Sequence, residues 1–155
     1  TLLLNKKECS FPAYPEQILK WSESLYQRAL RIPGFALREN DFVIHNLKCG
    51  GNAQYIKKER WLQHTSFLWD FCPKKMESLL FPPKTPQYRE GRSHQDFLCK
   101  LNLHLPSKKS LFDRVEQELG LHFTIVPYEP CPFSSSESRR QTRQVAYLSS
   151  FETEE

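Results

Sequence analysis

Glycine is scarce in this chain, five in 155 residues, and long apolar runs are missing altogether. No segment approaches the length needed to span a bilayer, so no membrane role is expected. The opening "TLLL" is too short for the apolar region of a signal peptide, and no initiator methionine precedes it. The protein is therefore expected not to be secreted, and the chain to begin after an N-terminal truncation. The five cysteines (Cys9, Cys49, Cys72, Cys99 and Cys131) form no C-x-x-C pair. That spacing suggests no metal site and fits free thiols in a reducing compartment. A strong charge bias is also lacking: 22 Lys plus Arg stand against 18 Asp plus Glu, for a net charge of +4. Only "SRRQTR" is densely basic, so no nucleic-acid partner is expected; an acidic protein partner or a phosphate-bearing substrate suits the mild positive charge. The phosphate-loop, nucleophile-elbow, zincin and full dinucleotide-binding motifs do not occur.

What is present is enough for a folded domain, with 39% apolar and 13% aromatic residues. Residues 1–130 read as one domain; 131–155 are rich in Ser, Arg and Glu and are expected to form a disordered tail. "PEQILKWSESLYQRAL" has helical spacing with proline in its first turn, predicting a helix over 15–31 that Pro33-Gly34 ends. "FALRENDFVIHN" predicts two strands around a polar turn, and "GNAQYIKK" and "HTSFLWDF" the next two. The expected fold is α/β (α+β), a mixed, mainly antiparallel sheet from 1–5, 36–46, 51–58, 64–71 and 122–126. Helices are expected near 15–31, 73–80, 94–105 and 107–119 to pack on it.

Two of the five glycines stand together in "LKCGGNAQ". Gly50-Gly51 could be a hairpin turn, the ordinary meaning of Gly-Gly between strands. Alternatively, glycine within a strand marks close backbone approach, here by a ligand reached by the amine of Lys48. A lysine amine in such a place would stabilise negative charge developing at a carbonyl or phosphoryl centre. His64 could bind a phosphate or polarise an acyl oxygen, or could be a strand-end histidine with its bonds satisfied locally. Asn40-Asp41 reads first as a turn pair. Cys49 adjoins Lys48 and so could be an activated thiol, yet strand neighbours point to opposite faces. Tyr88, Arg89, Arg92 and His94 form a polar cluster after a proline loop.

The run "LRENDFVIHNLKCGGNAQYIKKERWLQHTSFLWDF" resembles the lipoate–protein ligase family, within the biotin/lipoate ligase and octanoyltransferase superfamily, and is most like its plant and algal-type members. "PPKTPQYREGRSHQDFLCKL" resembles the same group's proline loop, P-x-YR and R-x-H-x-D-F-x-C segments, and the likeness spans residues 11–126. The resemblance implies a partial class-II biotin/lipoate ligase-like catalytic domain, and a role for each matching residue. Lys48 would be catalytic; Gly50, Gly51, Asn52 and Ala53 would wall the substrate pocket. His64 would match the second of a histidine pair whose first member is Gln63 here, and Asp41 would lie near the nucleotide and its magnesium. It implies ATP and Mg2+ as co-substrates, lipoate as substrate, and a lipoyl-domain acceptor protein. The location implied is mitochondrion or plastid, otherwise cytoplasm. An arginine-rich, glycine-triplet segment of the family would precede Thr1, so the chain reads as the C-terminal part of such a domain. The alternatives are an octanoyltransferase acting from acyl carrier protein, and a non-catalytic relative that binds lipoyl domains or acyl ligands. Lys48, His64 and Asp41 are expected to converge on one open groove, with Cys49 turned into packing.

Overall fold

The computed structural model describes residues 1–126 and the backbone of Leu148–Ser150. Two tight hairpins build one side of its main sheet. β2 (Phe35–Arg38) turns through Glu39-Asn40 into β3 (Asp41–Ile44), with Glu39 at φ 53°. β3 turns through His45-Asn46 into β4 (Leu47–Ile56), with His45 at φ 55°. A third hairpin returns β4 into β5 (Arg60–Phe67), and β1 (Leu2–Asn5) closes the far edge. The order is β1-β5-β4-β3-β2, every neighbouring pair antiparallel.

Gly50-Gly51 therefore make no turn. They lie inside β4, and the turn falls earlier, at His45-Asn46. β4 accordingly starts at Leu47 rather than at 51. The expected strand at 64–71 is also displaced, to Arg60–Phe67, because the hairpin closes where the Lys57 amide donates to the Arg60 carbonyl at 2.8 Å. That register brings Trp61 opposite Ile56 and Leu4 and buries it fully.

One sheet face carries the two long helices. α1 (Pro15–Leu30) starts with proline at its first position, where a missing N–H costs nothing, and stops at Arg31 in the left-handed region, φ 54°. Ile18, Ser22, Leu25, Tyr26 and Ala29 form its buried stripe. α4 (Lys108–Gly120) is capped by the Ser107 hydroxyl, which accepts from the Ser110 amide. It lies against α1: the Arg114 guanidinium donates to the Leu30 carbonyl, and Arg28 pairs with Glu118. Under the helices, Phe35, Phe42 and Phe67 stack, with Tyr26 edge-on to Phe42 at 5.3 Å and to Phe67 at 5.0 Å. A second cluster gathers Leu4, Ile18, Leu25, Trp61, Leu119 and Phe123.

The remaining helices are shorter than the sequence suggests. α2 is one turn, Pro73–Met76, rather than 73–80. Leu79, Leu80 and Phe81 are all largely exposed and find no apolar face to fold onto, and Phe81 precedes a proline that disfavours helix. The expected helix at 94–105 divides into α3 (His94–Phe97), capped by Ser93, and a 3-10 turn at Leu101–Leu103. Between them the chain extends to meet the sheet. The Cys99 amide donates to the Lys48 carbonyl at 2.9 Å and the Leu101 amide to that of Leu68 at 2.8 Å. These bonds to the carbonyls of β4 and of the residue just after β5 replace helical ones, while Phe97, Leu101 and Leu105 are still buried. β6 (Phe123–Ile125) does not join the main sheet as expected. Leaving α4 after two residues, it stays in the helix layer and pairs with β7 (Leu148–Ser150). The expectation for 131–155 otherwise lies outside the described residues. No helix among the described residues is long and apolar enough to cross a membrane.

Candidate functional site

A single irregularity in the sheet aims the lysine. Phe42 pairs with Gly50, but the next residue, Val43, pairs with Lys48, leaving Cys49 as the extra residue of a β-bulge. Without a bulge, residues three apart on a strand would face opposite sides. With it, Lys48 and Gly51 share the face turned away from α1 and α4. A Cβ built on Gly51 would lie 3.7 Å from the Lys48 Cε and Nζ and 3.9 Å from Asp41 Oδ1. The amine thus folds back over bare glycine backbone.

Asp41 opens β3 opposite Gly51 and receives the amine, with Lys48 Nζ 2.8 Å from Oδ1. The lysine side chain is 30% exposed and the carboxylate 13%. Such a pair is screened on its open side, so its worth lies in aiming the ammonium more than in stability. The other carboxylate oxygen accepts from the Tyr88 hydroxyl at 3.0 Å. Burial first, and then the Asp41 charge, push the Tyr88 phenol well above its ordinary value, so it remains a donor.

Ala53 and His64 are opposite one another two residues along from the Gly51–Ser66 pair, and hence on the same face. His64 is exposed; its ring nitrogens bond the Thr1 hydroxyl at 2.7 Å and the Ser66 hydroxyl at 3.1 Å. It shares the open face with Lys48 and Asp41 but bonds neither. Gly50 and Asn52 turn to the helix side. A Cβ on Gly50 would stand 3.0 Å from the Phe67 ring. Asn52 accepts from Gln63 at 2.8 Å and Thr65 at 2.7 Å and donates to the Asn40 carbonyl at 3.0 Å. Of the four residues expected to wall a pocket, Gly51 and Ala53 border the open face, whereas Gly50 and Asn52 hold the sheet together.

Cys49 is fully buried among the core aromatics, donating weakly to the Phe42 carbonyl. Hydrogen bonding with the Cys99 thiol, together with burial, pushes its thiol upward, the reverse of what a nucleophile needs. An apolar cavity of about 370 Å³ lies on this helix side, between β1, β5 and α4, lined by Leu2, Leu4, Tyr26, Val115 and Leu119. It does not reach Lys48. Among the described residues no three His, Cys, Asp or Glu side chains gather where they could hold a metal ion.

Tyr88 and its neighbours were legible as a polar cluster after the proline loop and as part of a family segment, but with no role assigned. Here they are a scaffold. The Arg89 and Arg92 guanidiniums each donate to the other's backbone carbonyl at 3.0 Å, and Arg89 lies against the Phe81 and Phe97 rings. The clue the sequence offered was the spacing of aromatic and arginine in "PQYREGR"; the contact with Asp41, 47 residues away, had no local signal.

Among curated proteins, the chain is 39% identical over 82 residues to the inactive lipoate–protein ligase 2 of Plasmodium falciparum (isolate 3D7). That alignment covers 46% of this chain and 21% of the relative, so the chain spans about a fifth of that protein's length. No solved structure gives a significant match. The family model for the lipoyl protein ligase A/B catalytic domain matches residues 1–124, and the chain belongs to that family.

Proposed function

We propose that the open face around Lys48 serves an ATP-dependent lipoate–protein ligase, which forms lipoyl-adenylate and passes the lipoyl group to a lysine of a lipoyl-domain protein. The observation that supports this reading most is the Lys48 ammonium held over Gly51 by Asp41, with no side chain between amine and strand. In the first step a lipoate carboxylate oxygen attacks the α-phosphorus of ATP and pyrophosphate leaves. Lys48 offsets the negative charge gathered on the carboxylate and phosphoryl oxygens. In the second, the acceptor lysine amine attacks the acyl carbonyl, AMP departs, and the amine gives up its proton. The same ammonium then faces the oxygen that becomes anionic in the tetrahedral intermediate. Magnesium would arrive with the nucleotide as part of the substrate, and Asp41, with one donor on each carboxylate oxygen, would lie near it.

The burial of Cys49 on the opposite face gives no support to a thioester transferase using that cysteine. A non-catalytic acyl- or lipoyl-domain-binding relative is the second reading, favoured by the word "inactive" in the name of the Plasmodium protein. Pyrophosphate release with lipoate and MgATP, read beside the mass of a lipoyl-domain acceptor, separates the two. Release plus an acceptor gaining a lipoyl mass supports the ligase. Lipoate or acceptor binding with neither product supports the non-catalytic relative.

A further inference from the structure

We propose that Tyr88 is the positioning residue of this site: its hydroxyl fixes the plane of the Asp41 carboxylate, so that one oxygen is held toward the Lys48 amine. The role rests on the reading of Lys48 as the acting ammonium. Each oxygen of Asp41 has one side-chain donor, Tyr88 at 3.0 Å on Oδ2 and Lys48 at 2.8 Å on Oδ1. Rotation of a carboxylate about its last torsion is soft, so a single contact from a partly exposed lysine would leave its plane poorly set. A second contact from a rigid group sets it.

Tyr88 is such a group. It is only 3% exposed, and it is gripped from four directions. Its amide donates to Glu39 Oε1 at 3.1 Å, and its carbonyl accepts from Arg92 Nη2 at 2.7 Å. The Arg38 guanidinium lies 4.9 Å over its ring, and the Phe97 ring packs 5.2 Å away. Glu39 also belongs to the β2–β3 turn that delivers Asp41, so one short stretch anchors both carboxylate and phenol. A ring that merely filled the core beside Val43 and Phe97 would need none of the hydroxyl's geometry. The hydroxyl is what the proposal concerns.

Tyr88→Phe keeps the ring and removes that oxygen. Trace acetylation of the full chain with acetic anhydride, read by mass spectrometry, reports the access of the Lys48 amine relative to exposed Lys58. Lys48 labelling is expected to rise about threefold in Tyr88→Phe, the order of a partly exposed ion pair. Asp41→Asn should give a similar or larger rise, and the double variant no more than Asp41→Asn alone. Circular dichroism melting confirms that each variant is folded. Unchanged labelling in folded Tyr88→Phe, or a double variant whose rise is the product of the two singles, overturns the proposal. In the lipoate-dependent pyrophosphate assay, Tyr88→Phe should lower kcat about tenfold with KM little changed, the signature of a misplaced group. If the full-length protein shows no turnover yet Lys48 labelling responds as expected, the ligase reading fails and the positioning role stands. If turnover is present and neither kcat nor labelling moves in Tyr88→Phe, the positioning role fails and the ligase reading stands.

Discussion

The two faces of β4 divide the work of one ten-residue strand. On one side, Lys48, Gly51 and Ala53 border an open surface with His64 and Ser66 beyond them. On the other, Cys49, Gly50 and Asn52 are occupied by the Phe67 ring, the Phe42 carbonyl and a carboxamide network. Adjacent glycines therefore serve unrelated ends. Gly50 makes room for packing, and Gly51 leaves the strand bare beneath the lysine amine. The bulge at Cys49 separates the two roles, since it shifts Lys48 onto the face that Gly51 leaves bare.

The sharpest test of the division is loss of the amine. In the full-length protein, Lys48→Ala should abolish lipoyl-adenylate formation, a fall of about a thousandfold or more, while thermal unfolding stays near that of the unaltered protein. The side chain is partly exposed and leaves no core cavity. Lys48→Arg should fail nearly as badly, because a planar fork does not occupy the compact ammonium's place beside Asp41 and Gly51. Near-normal pyrophosphate release by Lys48→Ala would remove this face from the chemistry.

Changes on the helix face should act through stability instead. Phe42→Ala removes a fully buried ring from the aromatic stack and is expected to cost about 3–5 kcal/mol in denaturant unfolding. Gly50→Ala brings a Cβ to 3.0 Å from the Phe67 ring and 3.3 Å from the Ser66 carbonyl. Its cost should be roughly 1–3 kcal/mol. Gly51→Ala meets the amine at ordinary contact distance and should be nearly neutral in unfolding. If Gly50→Ala and Gly51→Ala destabilise equally, the two faces are not as distinct as their packing indicates.

Local signals carried much of this fold and less of the site. Proline at the start of α1 and the polar turn between β2 and β3 each act over a few residues, and each lies where the sequence put it. The family motif likewise led to Lys48 and Asp41, which the structure joins. Register was harder to see. The bulge depends on which residues of β3 and β4 pair across the hairpin, a choice made by burying Phe42 and Val43 on opposite faces. The break after Phe97 was hidden for a related reason: Leu98 and Leu101 fit a helical stripe, but the Lys48 and Leu68 carbonyls outside that window claimed the Cys99 and Leu101 amides. Gly50 and Asn52 carried a motif whose residues alternate sides, so membership in it did not assign a face.

A small expected effect decides between chemistries. Cys49→Ala removes one buried sulfur and its weak hydrogen bond to the Phe42 carbonyl, and should cost roughly 0.5–1.5 kcal/mol in stability. Because Cys49 lies on the face opposite Lys48, kcat and KM for lipoyl transfer should be unchanged once the fraction folded is matched. In the unaltered chain its thiol should react with a disulfide reagent far more slowly than exposed Cys72, as burial and the Cys99 contact both disfavour the thiolate. An acyl-enzyme mass adduct on Cys49, or complete loss of transfer in a folded Cys49→Ala chain, would reverse the assignment. The acyl group would then be carried by the cysteine, and the thioester-dependent transferase would replace the ligase as the chemistry of this strand.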